Sequence, residues 1–283
     1  MQQLSALTAK EISCSHIENV PGGSINTAVC LKTNHGDYFL KYNKADRFPG
    51  MFECEKKGLE ILRNKNVIEV PEVVTSGVFE DNSFLLEKMI IPGKRAKNYS
   101  EILGTGLASL HKFTSSAFGL DHDNYIGSLK QLNTQSKSGI EFMIQSRFVP
   151  LITLAQQNQL ISKSEILLFE KLFAKLEDLL PDESPSLLHG DLWSGNIIIG
   201  KNGHAVFLDP AIYYGYRETD LAMAKLFGGF DAEFYESYNN SFPLKPGWEN
   251  RIGLFQLYPL LVHLNLFGRG YWASINEVLK IIL

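Results

Sequence analysis

The sequence predicts an α+β protein with two lobes: a small antiparallel β-sheet lobe with one helix, followed by a larger, mainly helical lobe. In the first part, short β-branched or aromatic runs alternate with turns, which is typical of strands. After about residue 100, apolar residues recur at helical spacing instead. A Pro92-Gly93 step ends the last apolar strand before this change. We therefore predict two domains, residues 1–90 and 91–283, which could close on a ligand.

The predicted elements of the first lobe are one helix and five strands. In residues 52–65, Phe52, Leu59 and Leu62 recur near the helical period, while charged residues supply the other face. Pro71 precedes the strand that follows this helix. The strands are predicted at residues 16–20, 27–33, 38–43, 73–79 and 84–89.

The second lobe is predicted to be helical from an apolar stripe that begins near Ser100. The clearest helix start is Ser162-Lys163-Ser164-Glu165, a capping box ahead of an amphipathic run. The further helices are expected at residues 140–157, 162–180, 220–227, 234–240, 251–267 and 274–283.

Composition excludes several classes of protein. The formal charge is -4, so nucleic acid and anionic lipid are poor partners. No stretch approaches the roughly 18 apolar residues of a membrane span, and the amino terminus lacks a signal-peptide pattern, so we expect a cytoplasmic protein. Cys14, Cys30 and Cys54 are odd in number and widely spaced, which predicts reduced thiols.

The segment from His189 to Asp209 carries the chemistry. Asp191 and Asn196 stand five positions apart in His-Gly-Asp-Leu-Trp-Ser-Gly-Asn. An apolar strand follows, turns at Lys201-Asn202-Gly203, where Asn-Gly is a favoured two-residue hairpin turn, and returns to Asp209. An amide oxygen and a carboxylate at the ends of a hairpin suit Mg²⁺, with Asn196 and Asp209 as ligands. Asp191 can then accept a proton from a hydroxyl that attacks the γ-phosphorus of ATP.

Each of these residues alone is an ordinary turn former. The ordered combination is far less common, and it favours phosphoryl transfer. His189 is expected to order the loop by hydrogen bonding and not to act in catalysis.

A kinase needs phosphate and adenine contacts, and the first lobe offers both. A glycine-rich turn between two predicted strands allows backbone amides to approach an anion, although a plain hairpin is the alternative. Lys41 lies in the next strand and needs a carboxylate partner; among Glu53, Glu55 and Glu60 of the predicted helix, Glu55 faces the sheet. The predicted nucleotide-binding residues are Gly22, Gly23, Ser24, Asn26, Lys41 and Glu55, with the hinge residues Glu87, Lys88 and Met89 for adenine.

The acceptor is predicted to be a small molecule. After Asp209 the chain enters a predicted helix near Asp220, which leaves no room for the long activation segment that holds a peptide substrate.

These motifs together resemble the fructosamine kinase (ketosamine 3-kinase) family, which is related to aminoglycoside phosphotransferases and has a protein-kinase-like bilobal fold. The likeness extends over essentially the whole chain. Its narrower signals are the Leu-Trp-Ser-Gly after Asp191 and the later Phe-Gly-Gly-Phe block. The matching segments are 22–26, 51–55, 189–196, 209–211, 214–218, 227–230, 257–258, 263–265 and 267–268.

The resemblance implies ATP- and Mg²⁺-dependent phosphorylation of the sugar 3-hydroxyl of ketosamines, free or protein-bound, which leads to deglycation. It implies that Asp191 is the base and that Asp220 braces the catalytic loop. Trp193 either stacks on the sugar or packs in the core. Glu218 and His263 are further expectations for the carbohydrate side.

Two other functions stay open from the sequence. One is a kinase for another small alcohol, such as an aminoglycoside or choline. The other is a nucleotide-binding pseudokinase, which normally lacks the base, the metal ligands or the lysine, all of which stand in this sequence. The oligomeric state is not predicted.

Overall fold

The computed structural model describes residues 12–21 and 25–283. Its contacts divide this part of the chain into two compact units. The first contains the described residues up to Arg95 together with Ile198–Leu208, and the second contains Ala96–Ile197 and Asp209–Leu283. The domains predicted from the sequence place residues 198–208 in the second domain. Backbone bridges from Glu69 to Val206 and from Pro92 to Gly200 explain why this segment belongs to the first unit.

The first unit is built on an antiparallel sheet of five strands in the order β1-β2-β3-β5-β4. Val29, Leu31, Tyr38 and Leu86 form a buried cluster on it. All five predicted strands are confirmed. They are rich in β-branched and aromatic residues, which fit a half-buried pleated surface. Their bounds are Cys14–Asn19, Thr27–Thr33, Gly36–Lys44, Val73–Phe79 and Asn82–Lys88.

One helix, α1 (Met51–Lys65), packs on β4 and β5, as predicted. Phe52, Leu59 and Leu62 are buried along its inner face. The helix ends at Asn66, whose left-handed backbone suits a C-terminal cap.

The second unit is mainly helical, which confirms the α+β prediction. Its helices are α2 (Tyr99–His111), α3 (Gly139–Phe142), α4 (Val149–Gln157), α5 (Lys163–Phe173), α6 (Leu176–Leu179), α7 (Glu218–Phe227), α8 (Ala232–Ser241), α9 (Trp248–Phe267) and α10 (Trp272–Ile282). The long helix α9 packs on α7 and α10, and α2 packs on α8.

Two predicted helices are interrupted. The one expected at residues 140–157 contains a π-helical segment, Met143–Phe148, between α3 and α4. The one expected at residues 162–180 breaks after α5, where Lys175 donates hydrogen bonds to the carbonyls of Ile282 and Leu283. The side chain at this break thus ties the end of α5 to the carboxyl end of the last helix.

The sequence patterns do not reveal two short antiparallel pairs of the second unit. Strand β6 (Asn124–Ile126) pairs with β7 (Leu129–Gln131), and β8 (Ser186–Leu188) pairs with β11 (Tyr213–Gly215). Three residues per strand are too few to show the two-residue period on which strand prediction depends.

None of the three cysteines, all within the described residues, forms a disulfide. Across the described ranges no helix combines the length and the apolar character that a membrane crossing requires.

The capping box at α5 offers a test of local stability. The Ser162 hydroxyl accepts from the backbone N–H of Glu165, and the Glu165 carboxylate accepts from the backbone N–H of Ser162. We expect Ser162→Ala to lower the free energy of unfolding by about 1 kcal/mol, because it removes a helix cap. Urea unfolding measures this loss. Lys163→Ala, an exposed position in the first turn of the same helix, is the control; an equal loss there would argue against the cap.

Candidate active site

The loop that contains Asp191, residues 189–196, is called the catalytic loop here. It leaves β8 through a turn that requires glycine. Gly190 has a left-handed backbone (φ +83°), and a β-carbon there would lie 2.0 Å from the carbonyl oxygen of Ala211. The Ala211 N–H in turn donates to the carbonyl of His189 at 2.9 Å. The loop and the segment after Asp209 therefore lie in close backbone contact.

Asp220, near the start of α7, fixes the loop through hydrogen bonds to its backbone. Its buried carboxylate accepts the backbone N–H groups of His189 at 2.7 Å and Gly190 at 2.9 Å, and it bonds His111 at 3.1 Å. Burial alone would raise the pKa of Asp220, but the hydrogen bonds and the charge of His111 outweigh it and hold the pKa below its usual value. The bracing role expected for Asp220 is thus visible in its contacts.

His189 orders the loop as predicted. Its ring is fully buried, and its Nδ1 accepts the backbone N–H of Asp191 at 3.3 Å. This contact uses the ring to order the backbone at Asp191.

Asp191 and Asn196 are brought together by a short 3₁₀ turn, Ser194–Asn196. The amide nitrogen of Asn196 donates to the Asp191 carboxylate and to the Asp191 carbonyl, both at 2.9 Å. Because the nitrogen end of the amide faces Asp191, its oxygen end is directed elsewhere.

Burial raises the pKa of the Asp191 carboxyl to about 7. The hydrogen bond from Asn196 works against this shift, while the negative charges of Asp209 and Asp220 add to it. A carboxylate with a pKa near neutrality has the proton affinity that suits a general base.

Asp209 follows strand β10 (Ala205–Phe207) and stands close enough to Asp191 for their charges to interact. Its backbone is left-handed, with φ 51°. Among the described residues, no group of three or more His, Cys, Asp or Glu side chains could enclose a metal ion. An amide oxygen from Asn196 and a carboxylate from Asp209 nevertheless fit Mg²⁺, which takes few protein ligands and shares phosphate oxygens.

The predicted hairpin between these two residues is present, but its turn differs. Strand β9 (Ile197–Ile199) pairs with β10, and Gly200 bonds His204 across the end. The loop therefore contains three residues, with Gly203 left-handed (φ +82°), and is not the expected two-residue turn. Such three-residue loops end in a left-handed glycine that forms a bulge.

In the first unit, Lys41 and Glu55 form the ion pair that the sequence predicted. The Lys41 Nζ atom lies 2.5 Å from the Glu55 carboxylate and 4.0 Å from that of Glu87. Glu53 instead accepts a hydrogen bond from Ser76. Lys41 is buried in β3, so its ammonium group is largely shielded from solvent and lies beside these carboxylates.

The glycine-rich turn is only partly described. Gly22, Gly23 and Ser24 lie outside the described residues. Asn26, predicted with them, accepts a hydrogen bond from Asn43 through its amide oxygen, and Asn43 also bonds Ser83. Asn26 thus has a structural partner inside the sheet.

The hinge residues use their backbone N–H groups within the first unit. The N–H of Lys88 donates to Glu72, and that of Met89 donates to Asp37. The Lys88 side chain also pairs with Glu72 at 2.6 Å, and the Glu87 side chain is buried. These two N–H donors are already engaged, so the adenine contacts predicted here are restricted to carbonyl groups.

Trp193 is exposed and does not belong to the core, with 38% of its surface accessible. Its ring lies over Gly195, where a β-carbon would come within 2.2 Å of the indole. Gly229 has a left-handed backbone (φ +95°), and a β-carbon there would lie 2.4 Å from the β-carbon of Ser194. The Leu-Trp-Ser-Gly and Phe-Gly-Gly-Phe motifs therefore pack directly on each other.

An aromatic row continues from Trp193 that the sequence analysis missed. Phe227 lies 6.1 Å from the Trp193 ring centroid and 4.6 Å from that of His263, which also contacts Phe267 and Tyr271. We call these five residues the aromatic row. Phe227 and Phe267 stand in quoted motifs, but no spacing rule brings α7, α9 and the Arg269–Tyr271 turn together.

His263 and Glu218 were both predicted on the substrate side, but their partners and their charge states differ. His263 Nδ1 bonds the carbonyl of Pro259 at 2.8 Å, and burial lowers the pKa of its ring, which favours the neutral form. Glu218 is buried, and Arg251 binds both of its carboxylate oxygens. This ion pair gives Glu218 a structural partner, and its substrate-side role stays a prediction.

Comparison with known proteins decides the family. The fructosamine kinase family model matches residues 1–283. The chain belongs to the fructosamine kinase family. A probable ketoamine kinase of Enterococcus faecium is 38% identical over 265 residues, covering 92% of this chain and 93% of the relative. The chloroplastic protein-ribulosamine 3-kinase of Arabidopsis thaliana is 38% identical over 276 residues, covering 95% and 83%.

Solved structures confirm the predicted fold of this fructosamine kinase family member. A candidate fructosamine-3-kinase from Haemophilus somnus superposes with a TM-score of 0.91 at 28% identity, covering 100% of this chain and 96% of that one. The aminoglycoside phosphotransferase APH(4)-Ia, in a ternary complex with AMP-PNP and hygromycin B, gives a TM-score of 0.62 at 16% identity, covering 95% and 94%. The second likeness shows the protein-kinase-like fold alone.

The raised pKa of Asp191 predicts the pH dependence of turnover. A base must be deprotonated, so kcat/KM should rise with pH through about 7 and level off above it. Asp191→Asn should lower kcat by about 10²- to 10⁴-fold and remove this acid limb. Initial rates from about pH 5 to about pH 9 measure both. A profile that is flat across this range, as expected if Asp191 kept its ordinary pKa of 3.8, would contradict the burial effect.

The contact of Trp193 with Gly195 predicts a spectroscopic change. In a variant with Trp248 and Trp272 replaced by Phe, Gly195→Ala should displace the Trp193 ring into water and move its fluorescence emission to longer wavelength. Gly253→Ala is the control, since a methyl group there meets only Val278 at 3.4 Å. An unchanged spectrum for Gly195→Ala would refute this packing.

Proposed function

We propose that this protein transfers the γ-phosphoryl group of ATP to the sugar 3-hydroxyl of ketosamines such as fructosamines and ribulosamines. The observation that carries the proposal is the half-buried Asp191, with a pKa near 7, bonded to Asn196 and close to Asp209 in a fructosamine kinase family member. The reaction is an alcohol phosphorylation, and it makes the protein an ATP-dependent phosphotransferase.

Asp191 is the base in this reaction. As the acceptor oxygen attacks the γ-phosphorus, the hydroxyl proton passes to the Asp191 carboxylate, the bond from the γ-phosphorus to the bridging oxygen breaks, and ADP leaves with that oxygen. The amide nitrogen of Asn196 holds that carboxylate in one orientation, and the His189 contact fixes the backbone beneath it. Most of the catalytic benefit then comes from positioning, as is usual for phosphoryl transfer.

Asn196 and Asp209 would hold Mg²⁺ through one amide and one carboxylate oxygen. When bound, the ion neutralises charge on the phosphate oxygens. Lys41, oriented by Glu55, would bind phosphate oxygens of ATP, for which a buried ammonium with a fixed partner is suited. The backbone carbonyls of the 87–89 segment are the proposed adenine contacts.

The aromatic row is the proposed acceptor surface. Trp193 follows the base by two residues, and an exposed indole face can pack on the apolar face of a sugar. Neutral His263, with Nδ1 engaged by Pro259, presents Nε2 as a hydrogen-bond acceptor for a hydroxyl or ammonium group. A single protonated amine, as in a ketosamine, suits this aromatic surface through cation–π attraction.

This surface favours ketosamines over aminoglycosides, which carry several positive charges and require an acidic pocket. Glu218 supplies no such charge, since Arg251 neutralises it. Phosphorylation at the 3-hydroxyl makes the sugar prone to leave the amine, so the proposed role is deglycation of metabolites or proteins. A cytoplasmic location is part of this proposal.

An acceptor panel tests the function. We expect ATP turnover with ribulosamines or fructosamines and none with choline or aminoglycosides. Trp193→Ala should raise KM for the ketosamine by about 3- to 10-fold with little change in KM for ATP, because an aromatic contact contributes about 0.5–1.5 kcal/mol. Trp193→Phe should restore most of the affinity.

Asp191→Asn is the control for background hydrolysis in the same panel. Turnover of choline or an aminoglycoside in preference to every ketosamine would reject the proposed acceptor while leaving the kinase chemistry in place. Loss of turnover with all acceptors, together with intact ATP binding, would favour a pseudokinase.

A further inference from the structure

The backbone of Asp209 is left-handed, with φ 51°. Aspartate adopts this region more readily than most residues with a side chain, although it remains less favoured than the ordinary regions of negative φ. At a functional site such a conformation is kept when the surrounding structure fixes it. The contacts of the segment that follows Asp209 show what fixes it here.

The two peptide units that follow Pro210 are held by side-chain amides from the β6–β7 hairpin. The amide nitrogen of Gln131 donates to the carbonyl of Ala211 at 3.0 Å. The amide nitrogen of Asn124 donates to the carbonyl of Ile212 at 2.8 Å. This hairpin belongs to the region after Asp121 whose role the proposed reaction does not explain.

The two amides also hold each other. Gln131 donates to the amide oxygen of Asn124 at 2.8 Å, and Asn133 donates to the same oxygen at 3.0 Å. The hydroxyl of Tyr258, on α9, donates to the amide oxygen of Gln131 at 2.5 Å. All four side chains are buried, so none can exchange its partners for water.

Arg147 determines which end of each amide in this network donates and which end accepts. The guanidinium is fully buried in the π-helical segment and donates to the amide oxygen of Asn133 at 2.8 Å and to the carbonyl of Leu132. It also lies over the rings of Tyr213 and Phe142. Within the described residues no carboxylate forms an ion pair with it.

An arginine side chain has donors only. Asn133 must therefore turn its oxygen to Arg147 and its nitrogen to the oxygen of Asn124. The nitrogen of Asn124 is then left facing Ile212. One buried cation thus fixes the orientation of each amide in turn, and the last donor in the chain meets the backbone beside Asp209.

We propose that Arg147, Asn133, Asn124 and Gln131 form a positioning network that fixes the Asp209–Ile212 backbone and thereby the Asp209 carboxylate as a ligand of Mg²⁺. These are positioning residues and do not touch the reacting atoms. The Mg²⁺ role of Asp209 rests on the proposed function, but the network itself does not depend on which acceptor is used.

The test compares Gln131→Met with Gln256→Met. Gln256 also donates its amide nitrogen to a backbone carbonyl, that of Ala222 at 3.1 Å, but this carbonyl lies in α7. Calorimetry of ATP binding at increasing Mg²⁺ concentration gives the Mg²⁺ requirement without any acceptor. Gln131→Met should raise the half-saturating Mg²⁺ concentration at least about 10-fold, since loss of a supporting partner typically weakens metal affinity 10- to 100-fold.

Hydrogen exchange of the peptide that contains residues 209–213 provides the second readout. It should accelerate in Gln131→Met and stay at the wild-type rate in Gln256→Met. Tyr258→Phe removes only the hydroxyl that orients Gln131, so it should shift both readouts in the same direction as Gln131→Met but by a smaller amount. If Gln131→Met does not fold, Tyr258→Phe serves as the test of the network.

Unchanged Mg²⁺ dependence in Gln131→Met and Tyr258→Phe, or an equal change in Gln256→Met, would overturn the network. The binding measurement separates this inference from the proposed function. A wild-type protein that fails to phosphorylate ketosamines would reject the acceptor, whereas the Mg²⁺ requirement of ATP binding would still report on the network.

Discussion

The buried carboxylate of Asp220 is the constraint on which the candidate active site depends. It accepts two consecutive backbone N–H groups, from His189 and Gly190, and it is itself held by His111. A carboxylate inside a protein is stable only when its oxygens are satisfied, and here the satisfying donors are the catalytic loop itself. The position of Asp191, one residue further, follows from that requirement.

The two chemically active stretches are joined by main-chain contacts. The Ala211 N–H bonds the carbonyl of His189, and Gly190 lacks the β-carbon that would push Ala211 away. The side-chain amides of Gln131 and Asn124 donate to the carbonyls of Ala211 and Ile212. These groups hold the backbone of both stretches. Burial, together with the charges of Asp209 and Asp220, then raises the pKa of Asp191 to about 7.

Local chemistry explains which predictions succeeded. The Ser162 capping box, α1 and the five strands follow from patterns within a few residues, and the structure contains all of them. The choice of Glu55 as the partner of Lys41 succeeded because helical spacing placed it towards the sheet. The partner of Glu218, Arg251, was not predicted because it lies on another helix that no local pattern connects to Glu218. The aromatic row and the engaged N–H groups of the hinge were missed for the same reason.

The sequence by itself determined the α+β class, the five strands and one helix of the first unit, and the set of oxygen-bearing side chains from Asp191 to Asp209 that identifies a kinase of small molecules. Those features depend on hydrophobic period, turn chemistry and residue spacing, which are properties of neighbouring residues. Only the tertiary structure decided that burial gives Asp191 a pKa of about 7, that Arg251 neutralises Glu218, and that Arg147 orients the amides around Ala211 and Ile212. Burial and hydrogen-bond direction depend on residues far apart in the chain, so they exist only once the chain has folded.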